Sequence, residues 1–277
     1  MRLSSVFSSP HPAGEFVAID ANLRESFRVL VPGRPDGEFA ELAGVSIVSL
    51  GVAFQMFNAA FISAPVKGAE QLAQRLNLAR AWFNGGRFGG KSREWSLWVC
   101  EDWLDRAASR QLARLCQSFG LRPASEVPGM IAPRIEPRSR RALPSLEYHP
   151  VSEERTLTDF NGIGNICFNV PAMWYREVFD SSLPARPFVA WVGYLDGCPV
   201  ATSASVTADG VIGVYNVATA PAFRGRGFGE AITRHTVSRA LEQAPGAPIV
   251  LQTSAMGLDL YLALGFHAVT RFLVYNS

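Results

Sequence analysis

The chain has little cysteine and little histidine, with four residues of each in 277. Cys100, Cys116, Cys167 and Cys198 lie far apart, without a C-x-x-C pair and with no histidine at metal-ligand spacing. This excludes a disulfide framework or zinc motif read from spacing, so buried, reduced thiols and no metal are expected. An excess of one charge sign is also lacking. Lys and Arg number 26 against 24 Asp and Glu, a net +2, which leaves no electrostatic footprint for nucleic acid. Met1-Arg-Leu-Ser-Ser has no sustained apolar run after its charge, so no secretory leader is read and a cytoplasmic location is expected. Long apolar runs are scarce. Residues 44–66 are 23 positions without a charge, long enough for a membrane span. Ser46, Ser49, Gln55, Asn58 and Ser63 interrupt the run, Gly51 divides it, and Val45, Ile47, Phe54 and Met56 alternate. Two neighbouring strands are expected there, and no membrane partner.

What is present is enough apolar residue, 48% of 277, for two packed domains. A Pro- and Arg-rich stretch, residues 133–144, has prolines at 133, 137 and 144 that prevent a continuous helix. It reads as a solvated linker at 137–145 between domains 1–136 and 146–277. In the second half, strand-like runs at 188–195, 199–207 and 211–217 precede Arg224-Gly-Arg-Gly227-Phe-Gly229-Glu, and a helical pattern follows at once. Glycines let successive backbone N–H groups converge without side chains in the way, and the helix adds its positive dipole end; the result is a diphosphate cradle. The spacing is Arg-x-x-Gly-x-Gly, not the dinucleotide fingerprint. Further on come a strand at 248–253 and Tyr261-Leu-Ala-Leu-Gly265-Phe266.

Residues 145–277 resemble the GCN5-related N-acetyltransferases (GNAT), on the Arg224–Gly229 loop and the Tyr261…Gly265-Phe266 tail. The resemblance implies an α/β (α+β) fold with a mixed central sheet flanked by helices. It implies acetyl-coenzyme A as co-substrate, with its pyrophosphate on the amides of Arg224, Gly225, Arg226, Gly227, Phe228 and Gly229. The pantetheine arm would run beside Val217, Ala218 and Thr219, with Val217 or Ala218 polarising the thioester carbonyl through its N–H and Thr219 contacting pantetheine. Tyr261 is the implied donor to the departing thiolate. Ser254 stands where the family often has Asn, and a hydroxyl makes only some of an amide's hydrogen bonds. Residues 168–177 lie where the family places substrate-lining helices, so Trp174, Tyr175 and Glu177, with Tyr215, are candidates around the acceptor. The strand 211–217 carries no carboxylate, which leaves the general base open between Glu230, His235 and a water held by Tyr215 and Asn216.

The first half repeats the order of elements. Strands at 45–50 and 53–63, a helix at 68–83, a strand at 95–100, a helix at 104–119, then Phe119-Gly120-Leu121 and a strand at 127–131 parallel the second half. A tandem duplication is expected. The first copy has one glycine before its helix, in Ser63-Ala-Pro-Val-Lys-Gly68, and no tyrosine matching Tyr261, so it is expected not to bind coenzyme A. Residues 85–92 fit G-x-x-x-x-G-K-[ST], but a helix precedes and a strand follows, the reverse of a P-loop. A basic loop is the plainer account. The expected function is transfer of acetyl to a primary amine of a small molecule in a ternary complex, by a monomer or homodimer; the alternative is a non-catalytic acetyl-coenzyme A sensor.

Overall fold

A computed structural model describes residues 13–85, 93–137, 142–180, 183 and 187–277. Most of the glycine-rich stretch at 85–92, part of the linker and the N-terminal leader position lie outside these. The chain divides into two compact units, Met1–Gly129 with Ala268–Ser277, and Met130–His267.

The first unit begins with helix α1 (Ala13–Arg28), followed by strands β1 (Glu38–Leu42), β2 (Val45–Ser49) and β3 (Asn58–Ile62). Helix α2 (Gly68–Asn84), strand β4 (Ser96–Cys100), helix α3 (Arg106–Ser118) and strand β5 (Arg122–Ala132) follow. Strands β2 and β3 are buried at every position. Strands covered on both faces read as continuous apolar runs, which is why residues 44–66 imitate a membrane span. A 3-10 turn at Gln55–Phe57 divides the run. No helix among the described residues is long and apolar enough to cross a membrane. The Asp105 carboxylate caps α3 by accepting from Ala108 N–H at 2.7 Å, and it also accepts from Gly68 N–H at 3.0 Å, tying the starts of α2 and α3. Helix α1 and strand β1 were not expected from the sequence. Strand β1 alternates half-buried and exposed residues along the edge of the sheet, too short a pattern to stand out.

The second unit contains β6 (Glu147–Pro150), α4 (Glu154–Phe168), α5 (Ala172–Val178), β7 (Phe188–Leu195), β8 (Cys198–Ala208) and β9 (Val211–Thr219). Then come α6 (Phe228–Leu241), β10 (Ile249–Gln252) and α7 (Leu258–Ala263); β11 (His267–Asn276) ends the chain. Its strands lie in the order β10-β9-β8-β7-β6. Phe228 and Ile232, one helical turn apart on α6, pack on Val200 and Ala201 of β8.

The duplication is visible strand by strand. In the first unit β1–β2 and β2–β3 pair antiparallel and β3–β4 parallel. In the second, β7–β8 and β8–β9 pair antiparallel and β9–β10 parallel. Each copy turns from its last helix through a left-handed glycine, Gly120 at φ 81° and Gly265 at φ 91°. In both, the next N–H reaches back five residues: Leu121 to Cys116 O at 2.9 Å, Phe266 to Tyr261 O at 3.0 Å. Cys116, fully buried, thus stands where the second copy has Tyr261.

The compact units do not coincide with 1–136 and 146–277. The chain passes from one unit to the other at Gly129, inside β5, and residues 268–277 belong to the first unit. The reason is pairing: β4 has β11 as its antiparallel neighbour, from Phe272 opposite Cys100 to Asn276 opposite Ser96. A sequence boundary drawn at the proline-rich stretch cannot register a strand exchanged at the other end of the chain.

Candidate functional site

The site lies in the second unit, where β9 and β10 part. Their ladder covers Ile212 opposite Ile249 and Gly213 opposite Val250, whereas its counterpart β3–β4 runs over Ala59 to Ile62. Beyond Gly213, β9 bulges. The β8 register steps from Ala204 opposite Tyr215 to Thr202 opposite Ala218, so Asn216 and Val217 together face Ser203. Asn216 takes φ 51°, a left-handed conformation that asparagine tolerates better than most residues.

The bulge changes which way the backbone faces. Before it, Ile212 N–H donates toward β10, to Pro248 O at 3.0 Å; after it, Ala220 N–H donates to Val200 O of β8 at 2.9 Å. Backbone groups alternate sides along a strand, so Ala218 also faces β8, while Val217 and Thr219 face away from it. Of the two candidate carbonyl donors, Val217 is the one turned toward the opening, and Ala218 is spent in the β8 ladder. Thr219 O accepts instead from Cys167 Sγ at 3.2 Å and Arg224 Nε at 3.2 Å.

The glycine loop follows through a 3-10 turn at Pro221–Phe223. Gly225 and Gly227 take φ 72° and 88°, which L side chains rarely adopt. Gly227 is the N-cap of α6, and the first backbone bond there is Ala231 N–H to Gly227 O at 3.0 Å. The N–H groups of Gly225, Arg226, Gly227, Phe228 and Gly229 have no protein acceptor among the described residues. Phe228 contributes only backbone, since its ring is in the core. A Cβ at Gly229 would stand 3.3 Å from Thr219 Oγ1 and 3.6 Å from Leu260 Cδ2, a tight fit that asks the Thr219 side chain to give by a few tenths of an ångström. Arg226 lies over the rings of Phe223 and Phe228, 5.6 and 5.1 Å from their centroids.

Tyr261 is on α7, directly after Leu260. Its ring meets Phe266 edge-on at 5.7 Å. Burial pushes its phenol well above the ordinary value of 10, and the hydroxyl has no protein partner among the described residues. Ser254 is exposed in the β10–α7 connection. One residue that sequence reasoning missed is Gln252, the last of β10, whose two amide atoms are buried without a protein partner. It lies beyond the last β10 residue paired with β9, and that parting is invisible in sequence.

The α4–α5 cluster is split in role. Tyr175 is 3% exposed, and its hydroxyl accepts from Asn216 Nδ2 at 2.9 Å, so it braces the bulge rather than lining an open surface. A Cβ at Gly164 would overlap the Tyr175 ring and hydroxyl, which explains a glycine inside α4. Trp174, Glu177 and Tyr215 are half-buried. Ile166, Phe168 and Met173 are exposed by 64, 46 and 62%, and Phe168 stacks on Tyr175. Two base candidates are occupied elsewhere. Glu230 pairs with Arg234 at 2.8 Å. His235 stacks on Tyr148 at 3.9 Å, and burial, with Arg239 nearby, lowers its pKa.

The second unit is thus a mixed sheet with a bulged fourth strand, a parallel neighbour that parts from it and a glycine loop opening the next helix. Residues 186–268 match the family model described as "Acetyltransferase (GNAT) domain". The GNAT match covers the part of the second unit from β7 to α7, and the first half repeats that strand order and pairing without the glycine loop. No curated protein matches the chain. Among solved structures, a GCN5-related N-acetyltransferase from Kribbella flavida is 19% identical with TM-score 0.68, covering 94% of this chain and 95% of its own. One from Sphaerobacter thermophilus is 14% identical with TM-score 0.56, covering 100 and 96%. A tandem GNAT protein from the clavulanic acid biosynthesis pathway is 12% identical with TM-score 0.53, covering 95 and 94%. At these identities the likeness is one of fold.

Proposed function

We propose that the chain transfers acetyl from acetyl-coenzyme A to a primary amine carried on an apolar small molecule, using the second unit alone. The observation that carries this is the row of N–H groups from Gly225 to Gly229, without protein acceptors among the described residues, at the positive end of α6. Such a row fits a diphosphate in charge and in hydrogen-bonding sense. The parting of β9 from β10 beyond Gly213 suits an amide-bearing arm that adds to β9 as a strand would. Acetyl-coenzyme A would supply the thioester. Val217 N–H stabilises charge developing on its carbonyl oxygen. Tyr261, held neutral by burial, donates a hydrogen bond to the leaving sulfur. A phenol raised above 10 cannot readily surrender its proton to a thiolate of ordinary pKa near 8.5, so its part is the hydrogen bond, with solvent delivering the proton. The exposed Ile166, Phe168 and Met173 offer an apolar seat, and Glu177 is the candidate partner for the amine's ammonium.

The test is thermal shift with acetyl-coenzyme A, and separately with Mg-ATP, on wild type and Gly227→Trp, with circular dichroism to check folding. Ligand at a hundred times its Kd stabilises by about 2.7 kcal/mol. A rise with acetyl-coenzyme A that is lost in folded Gly227→Trp supports the reading; a rise with Mg-ATP alone overturns it. The absence of a carboxylate on residues 211–217 favours one rival, a sensor that binds without turnover. Aralkyl- and alkylamines offered with acetyl-coenzyme A separate the two by product formation.

A further inference from the structure

Thr202 lies on β8, fully buried, and its hydroxyl donates to Asn216 O at 3.0 Å. In a planar trans peptide the C=O and the following N–H point in opposite directions. A bond that fixes Asn216 C=O toward Thr202 therefore fixes Val217 N–H away from β8, into the opening beside β10. The same peptide is gripped on its other flank, because the Asn216 side-chain amide donates to Tyr175 Oη at 2.9 Å. Tyr175 is itself held in the core of α4 and α5, between Phe160, Phe168 and Phe179. A bulge with a left-handed asparagine is a place where a peptide plane can flip at small cost. The two side-chain bonds close that freedom.

We infer that Thr202, with Tyr175 acting through Asn216, is a positioning residue that sets the Val217 peptide plane so that its N–H meets the acyl carbonyl. The inference rests on the reading that acetyl-coenzyme A binds along β9. Thr202 touches neither the acyl group nor the acceptor; it acts through the Asn216 carbonyl on the N–H of Val217, the neighbour of its own ladder partner Ala218. A purely structural threonine would affect folding and all ligand affinities alike, whereas this one governs a single dipole.

The test uses the full chain with [1-13C]acetyl-coenzyme A and difference infrared spectroscopy, which reads the bound carbonyl stretch without needing an acceptor. In wild type the stretch is expected below its position in free acetyl-coenzyme A, because a fixed N–H polarises the carbonyl. Thr202→Val keeps the shape and deletes the hydroxyl. It is expected to return the stretch toward the free value with the affinity for acetyl-coenzyme A unchanged, and to lower kcat by about 10- to 100-fold with the KM for acetyl-coenzyme A unchanged. Thr202→Ser should restore the wild-type stretch. Tyr175→Phe, which keeps the ring and is an independent variant should Thr202→Val not fold, should give an intermediate position. A wild-type shift that persists in folded Thr202→Val, or in Tyr175→Phe where the former does not fold, overturns the inference and leaves acetyl-coenzyme A binding intact. A wild-type chain that binds no acetyl-coenzyme A overturns the underlying reading, and the inference with it.

Discussion

Replacing Tyr261 by Phe separates the chemistry proposed for this site from its packing. The ring contact with Phe266 at 5.7 Å survives the change, and the hydroxyl has no protein partner to orphan among the described residues. The hydroxyl is not among the buried side-chain atoms without a partner, so it keeps contact with solvent and its removal orphans nothing; Tm should hold near wild type. Turnover should fall. A hydrogen bond to a charged group contributes about 1.5–3 kcal/mol, and 1.36 kcal/mol is a factor of ten in rate, which gives a loss of about 10- to 150-fold in kcat. Affinity for acetyl-coenzyme A should stay near wild type, because the bond matures only as the sulfur gains charge. The pH profile adds a second check. Burial holds the phenol above 10, so no basic limb belonging to Tyr261 should appear below pH ~10. The assay is thiol release with an alkylamine acceptor from pH 6 to 10, alongside equilibrium binding and thermal melts. A variant with unchanged kcat, or a wild-type basic limb near pH 8–9 that vanishes in Tyr261→Phe, would refute the assignment.

Other predictions follow from the same geometry. Titration of the full chain with acetyl-coenzyme A should give one site per chain by calorimetry; two would show that the first copy also binds. Gln252→Leu should raise Tm of the free protein, since it removes two unpartnered buried amide atoms, and should weaken acetyl-coenzyme A binding if that amide serves the ligand; a lower Tm would mean the amide is satisfied in solution. Burial pushes the Asp20 carboxyl up to about 6 from 3.8, which favours its protonated form. This stabilisation is present below pH ~4 and is lost as pH rises through 6, while the Arg24 guanidinium at 3.0 Å works the other way by favouring the charged form. Asp20→Asn should therefore gain stability at pH 7 and little at pH 4, measured by urea melts. Burial also raises the phenols of Tyr175, Tyr194 and Tyr261, so stability should fall as pH climbs above ~10; a flat profile there would contradict their burial.

What sequence could and could not reveal here divides along physical lines. Left-handed glycines and helix starts are local, so the Gly225–Gly229 loop and the Gly265 corner were legible to the residue. The strands at 188–195 and 211–217 were legible for the same reason. The bulge was not, because it is defined by a partner: nothing at Asn216 says that Thr202 faces Ala218 rather than Val217. The role of Tyr175 depends on that bulge, so it read as a substrate contact when its hydroxyl in fact braces β9. The strand exchange that places β11 beside β4 is likewise a pairing fact, out of reach of composition and period. The same distinction explains how the first copy keeps the fold without the glycine loop. The corner after Gly120 needs only a left-handed glycine and a buried residue five positions before the returning N–H, and Cys116 meets that need as well as Tyr261 does. The cradle needs glycines that packing does not require. Once selection for a ligand lapses, packing preserves the first and nothing preserves the second.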